Sequence, residues 1–119
     1  MKASPLDPLT QLPLTPIAVE ILLALGDGER HGYDIMLAIE KRTEGRLSPN
    51  PGTLYRAIDR LVRNGVIEIA ERGTARHRWR RRYRVSSFGA RVAAAEVERL
   101  SNQVNAARGA RLIKRFAQP

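Results

Sequence analysis

Apolar positions recur along this chain with two different periods, and the switch between them falls at Gly65. Before it the spacing is helical. Thr15-Pro16 is a cap followed by a proline, and Ile17, Ile21, Leu22 and Leu25 give a short apolar helix that ends at Gly26. Gly26 to Arg30 reads as a turn, and a second helix is predicted from Gly32 to Arg42, with Asp34 in its first turn and Ile35, Leu37, Ala38 and Ile39 buried. The third helix is the best punctuated. Asn50 is an N-cap, Pro51 fits the first helical position, and Gly65 is a left-handed stop. Leu54, Ile58, Leu61 and Val62 form its buried stripe, while Thr53, Arg56, Arg60 and Arg63 recur at three- and four-residue steps on another face.

After Gly65 the period is two. Ile67 and Ile69 alternate with Glu68 and Ala70, and Gly73 to Arg78 is a hairpin tip. On the returning strand Trp79, Arg81, Tyr83 and Val85 face one way, and Arg80, Arg82 and Arg84 the other. From Ser86 or Ser87 a single helical pattern then runs to about Phe116. Within it Ala93, Val97, Leu100, Val104 and Ala107 follow 4-3-4-3 steps, a short heptad seam, with Phe88 and Val92 lying off it. A helix that long cannot bury its stripe against so small a domain, which points to a second copy as its partner. The predicted architecture is mainly α with a small β-hairpin: a loose segment 1–14 with Leu9, Leu12 and Leu14 available to dock, a winged helix-turn-helix domain 15–86 and a long C-terminal dimerisation helix 87–117.

The charge distribution sharpens this picture. The net charge is +9, and 18 arginines stand against 3 lysines. Between Asn50 and Arg91 there are eleven arginines, no lysine and three acids (Asp59, Glu68, Glu71), an excess of eight positive charges in about a third of the chain. Charge concentrated on one structural unit is the electrostatic footprint of a nucleic-acid binder. Arginine bias from base composition and ordinary solvated charge runs are the competing explanations. The absence of cysteine excludes disulfides and thiolate metal ligands and fits a reducing compartment. Apolar runs fall short of the roughly 20 residues that span a bilayer, and Pro5, Pro8 and Pro13 interrupt any signal-peptide core, so a cytoplasmic protein is expected. Enzyme chemistry has little to stand on. His31 and His77 have no neighbouring carboxylate cluster at ligand spacing, and Ser86 and Ser87 read as caps without an adjacent base. No cofactor or metal is expected.

The ordered motifs resemble the PadR-type transcriptional regulators. His31-Gly32-Tyr33-Asp34-Ile35 is similar to that family's opening of the second helix. Pro51-Gly52-Thr53-Leu54-Tyr55 through Leu61, with Asn64-Gly65-Val66-Ile67, resembles its recognition helix and the start of its wing. Arg81-Arg82-Tyr83-Arg84-Val85-Ser86-Ser87-Phe88-Gly89 resembles the second wing strand and the helix after it, and the single last helix is similar to the short members of the family. Arg82-Tyr83 stands where a tyrosine pair is frequent, Ser86 where threonine is usual, and Arg56 where proline is often found. The resemblance implies a dimeric, usually repressing, DNA-binding regulator, released in some members by a small ligand.

On that basis the helix 51–64 is expected in a major groove, with the wing 66–85 beside it. Asn50, Gly52 and Thr53 are candidates at the helix start, Arg56 for bidentate readout of a guanine, and Arg60 and Arg63 for phosphates. Tyr33 and Tyr55 are candidates for sending a hydroxyl to a phosphate, with core packing as the alternative, and Thr74, Arg76 and Arg78 for contacts from the wing tip. Ala93, Val97, Leu100, Val104 and Ala107 are the expected dimer interface. The rival functions are a non-specific or RNA-binding basic protein and a winged helix that binds a different protein chain. Against RNA, Trp79 and Tyr83 are the available stacking aromatics and both are expected to face inward.

Overall fold

Three of the four α-helices begin where a side chain takes up a free N–H, and the other, after His31, has no side-chain cap. The computed structural model describes residues 7–71 and 80–110. Thr15 Oγ1 accepts from the Ala18 amide at the start of α1 (Pro16–Ala24), and Asn50 Oδ1 from the Thr53 amide at the start of α3 (Pro51–Arg63). Between them lies α2 (Gly32–Arg42), and Ser86 caps α4 (Ser87–Gly109) through the Gly89 amide. At the end of α3, Gly65 takes a left-handed φ of 77°, while its amide bonds the Val62 carbonyl and the Val66 amide bonds Leu61. This paired closure satisfies two helix-end carbonyls and turns the chain into the sheet.

The sheet is antiparallel and has three strands, in the order β1 (Arg30–His31), β3 (Arg82–Val85), β2 (Ile67–Glu71). Sequence periodicity predicts only the β2–β3 hairpin, because two residues are too few to show a period. Arg30 and His31 nonetheless pair with Tyr83 and Arg82, which shortens the turn expected over Gly26 to Arg30. Arg30 also donates Nε to the Ala24 carbonyl at 2.6 Å, filling an open acceptor at the end of α1. On the other side Ile69 faces Tyr83 and Glu71 faces Arg82, so a register shift interrupts the ladder near Ala70.

The core sits where α1, α2 and α3 meet the inner face of this sheet. Ile21, Ile35, Ile39, Leu54, Ile58, Val66, Ile67, Tyr83 and Val92 are its fully enclosed side chains. Each such aliphatic side chain contributes about 1.5–3 kcal/mol relative to exposure. A bidentate ion pair from Arg42 to Glu20 ties α2 to α1 on the surface. Leu37, expected inside, is 42% exposed because the buried face of α2 is carried by Gly32, Ile35 and Ile39.

Two further expectations are corrected. The segment 1–14 is not loose over its second half. A 3-10 helix, Pro8–Gln11, packs on α4, and Leu12 and Leu14 are half-buried against the core, although Leu9 is 65% exposed. The last helix ends at Gly109 rather than near residue 117, since Ala110 is extended, with ψ of 150°. Among the described residues no helix is long and apolar enough to cross a membrane.

The start of α4 crosses β2 with no room to spare. A Cβ built on Gly89 would lie 1.8 Å from the Val66 carbonyl oxygen, whereas one on Gly109 meets nothing within 4 Å. Gly89→Ala is therefore expected to lower stability by about 3 kcal/mol. Gly109→Ala should change it by less than about 1 kcal/mol, both read from urea unfolding midpoints. Glu96, buried on α4, has its carboxyl held below the usual carboxylate range, chiefly by the hydrogen bond from Arg99, with the Leu14 amide adding to it and burial opposing. A depressed carboxyl contributes stability at neutral pH that is lost as pH falls through its folded value. Between about pH 5 and pH 3 the wild type should therefore lose stability more steeply than Glu96→Gln, and parallel pH profiles would contradict this assignment.

Candidate nucleic-acid interface

The approach of α2 to α3 is set by a tyrosine against a glycine. Tyr55 points back from α3 to the first turn of α2, and a Cβ on Gly32 would lie 2.2 Å from its hydroxyl oxygen. Glu44 and Gly45, both at positive φ, reverse the chain between the two helices. Thr43 pins that reversal by donating to the Ile39 carbonyl at 2.8 Å and accepting from the Leu47 amide at 3.1 Å. Tyr55 is only 5% exposed, with its hydroxyl inside, so it is a core post and not the surface contact proposed from sequence. Its ring leans into the helix pair because position 55 adjoins Leu54, Ile58 and Leu61 on the apolar face of α3.

The opposite face of α3 is open. Asn50, Gly52, Arg56, Arg60 and Arg63 are exposed, and Thr53 is half-buried. Asn50 already spends its Oδ1 on the cap, and the Arg56 guanidinium leans back to Thr53 Oγ1 at 3.4 Å, over the first turn. Among the described residues Arg56, Arg60 and Arg63 appear in none of the ion pairs with an acid. Thr15 and Ile17, at the start of α1, form the far wall of a cleft lined by Thr53, Arg56 and Arg60. Tyr33, on the first turn of α2, is half exposed on the same helix pair.

The arginines of β3 are in a different state. Arg82 and Arg84 point outward and Tyr83 inward, as the two-residue period predicts. Arg84 Nε bonds Glu68 at 2.7 Å, and Arg84 and Arg82 reach Glu29 at 3.5 and 3.9 Å. Glu29, in the turn before β1, was invisible to pattern reasoning because it is brought to β3 only by the pairing of β1. Thr74, Arg76 and Arg78, the candidate wing tip, lie outside the described residues, as does Trp79.

On α4, Phe88 and Val92 turn to the domain. Val97, Leu100 and Val104 stand 62%, 36% and 48% exposed, with Ala93 and Ala107 half-buried in the same stripe. Sequence reasoning also missed Glu96, which sits four residues after Val92, where the Phe88–Val92 stripe would place another apolar side chain.

A helix pair with an open basic face, followed by an antiparallel wing, defines a winged helix-turn-helix. Residues 21–95, more than half of the chain, match the transcriptional regulator PadR-like family, and the chain belongs to that family. The winged helix-turn-helix of this chain is the part that matches that family of regulators. Transcriptional regulator YqjI of Escherichia coli K12 is 39% identical over 51 residues, 43% of this chain, and the chain spans about a quarter of that relative's length (25%). Among solved structures it is similar to RosR of H. salinarum, with a TM-score of 0.64 and 26% identity over 78% of this chain and 79% of that one. PadR of Bacillus subtilis, solved in complex with operator DNA, shares the fold with a TM-score of 0.58 and 22% identity over 71% of this chain and 48% of that one.

The corrected role of Tyr55 has a direct test. Tyr55→Ala should cost on the order of 3 kcal/mol of stability by opening a cavity between α2 and α3, measured by chemical denaturation. Full stability with selective loss of DNA affinity would return Tyr55 to the surface.

Proposed function

We propose that the protein is a homodimeric, sequence-specific repressor that binds an inverted-repeat operator through α3 and the wing. The observation that carries this reading is the division among the arginines. Those of α3 are exposed and have no acidic partner among the described residues, while Arg82 and Arg84 at the base of the wing are tied to Glu29 and Glu68. A side chain held in an ion pair must give it up to reach a phosphate; one without a partner exchanges only water and counterions. Arg56, near the N-terminal end of α3, reads a base edge, and Arg60 and Arg63 neutralise phosphates, with Asn50, Gly52, Thr53 and Tyr33 positioning the helix end and Thr74, Arg76 and Arg78 reaching along the wing. Val97, Leu100 and Val104, flanked by Ala93 and Ala107, supply the seam for a second copy, whose two-fold symmetry requires two half-sites. Occupation of such a site over a promoter represses by exclusion.

Fluorescence anisotropy on DNA tiled across the upstream region and then on selected genomic fragments tests this, together with sedimentation of the free protein. The expected result is a dimer that prefers one segment holding an inverted repeat, half-sites about one helical turn apart, and loses affinity steeply with salt. Arg56→Ala should cost about 1–3 kcal/mol and relax preference at one base pair, whereas Arg60→Gln should weaken all sequences alike and reduce the salt slope by about 1. Equal affinity for every fragment, or tighter binding to RNA, would overturn the reading.

A further inference from the structure

Glu96 is 3% exposed, the single buried charged side chain among the described residues. It follows Phe88 and Val92 on the face of α4 that packs on the domain, where an apolar residue would be cheaper. Its Oε2 accepts from the Leu14 backbone amide at 2.9 Å and from Arg99 Nη2 at 3.1 Å, and Oε1 accepts from Arg99 Nε at 2.5 Å. Arg99 belongs to the same helix, so its bonds keep the carboxylate charged and hydrogen-bonded without joining two parts of the fold. The bond to Leu14 does join them. Leu14 ends the strap formed by residues 7–14, whose 3-10 helix lies on α4 and whose half-buried Leu12 and Leu14 pack against the core, directly before α1 begins.

Glu96 is also the last buried residue of α4. From Val97 to Ala106 every residue is exposed except the half-buried Arg99. The helix therefore leaves the domain at this point, with about 20 Å of it projecting beyond. A swing of about 10° around Glu96 displaces the far end by roughly 3 Å, at 1.5 Å rise per residue. Apolar packing alone tolerates such a swing, whereas a bond to one backbone N–H is directional and leaves a buried carboxylate under-bonded when it breaks.

We propose that Glu96 is a positioning residue for DNA recognition: its bond to Leu14 fixes the angle at which α4 leaves the winged domain, and so sets the spacing between the two reading helices of the dimer. The inference rests on the dimeric reading above. It assigns operator-spacing selectivity to a residue that touches neither DNA nor the partner seam.

The test uses the full chain on duplexes carrying the preferred segment with its half-sites at native spacing or moved by one or two base pairs, and on a single half-site. The wild type should bind native spacing about tenfold or more tighter than shifted spacing, because only matched sites gain from bivalency. Glu96→Leu fills the same space without the bond. It should remain dimeric and as stable as the wild type, bind the single half-site within about twofold, and reduce the spacing preference below about threefold. Glu96→Gln, whose amide oxygen still accepts from Leu14, should retain most of the preference. Should Glu96→Leu not fold, an amide-to-ester replacement at residue 14 removes the N–H alone and is expected to flatten the spacing profile in the same way. A folded Glu96→Leu dimer or ester chain with wild-type spacing preference overturns the proposal. A wild type that is monomeric, or that binds one and two half-sites equally, overturns the dimeric reading itself.

Discussion

The Val66 carbonyl accepts from the Ser86 amide at 3.1 Å and from the Ser86 hydroxyl at 3.0 Å, while Gly89 lies so close above it that a methyl group there has no place. Four elements meet at this one peptide. It follows the closure of α3 at Gly65, opens β2, receives the end of β3 and supports the first turn of α4. Because the hydroxyl of Ser86 also bonds Gly65 and caps α4, the end of α3 and the helix that projects from the domain are anchored within a few residues of each other. Displacing either one breaks bonds in a desolvated region, where lost partners are costly. A threonine at 86 would offer the same hydroxyl; a residue without one would leave the junction to packing alone.

Eleven arginines in one stretch look equivalent in a composition, but the fold sorts them by where their counter-charges lie. Glu68 is opposite Arg84 in the antiparallel register, and Glu29 is carried to β3 by the short pairing of Arg30 and His31. The strand arginines therefore cross-link the sheet, and the wing is held to the turn before α2. The three arginines of α3 are exposed and appear in none of these ion pairs. On the proposed reading, net charge steers the molecule toward a polyanion and this sorting leaves the α3 arginines to meet it.

The helices were legible because their boundaries are local chemistry. Asn50-Pro51, Thr15-Pro16, Ser86 and Gly65 act within four residues of themselves, and the structure starts α1, α3 and α4 where those signals place them. What escaped is non-local. The strand Arg30–His31 exists only because β3 arrives beside it. Tyr55 fits the three- and four-residue spacing of a surface position and a core position alike, and its burial beside Leu54, Ile58 and Leu61 needs the room left by the missing Cβ at Gly32. The strap of residues 7–14 has prolines that read as disorder, yet its leucines have an apolar surface to meet and its backbone has Glu96. Periodicity identified the exposed positions Arg56, Arg60 and Arg63 of α3 but not the burial of Tyr55, which borders the apolar stripe.

The last helix serves two surfaces without conflict because of helical geometry. Phe88, Val92 and Glu96 are four residues apart, a stripe that drifts slowly around the helix, while Val97, Leu100 and Val104 lie roughly a quarter turn away at 100° per residue. The first stripe is consumed by the domain and ends at Glu96; the second begins beside it and continues to Ala107, past the point where the domain stops. Had both been apolar throughout, α4 would have had one broad sticky face and no defined place to leave the core. A carboxylate at the end of the inner stripe, bonded to a backbone amide, marks that place. On the proposed role, the charge buried there gives direction to the helix in addition to the stability its depressed carboxyl contributes at neutral pH.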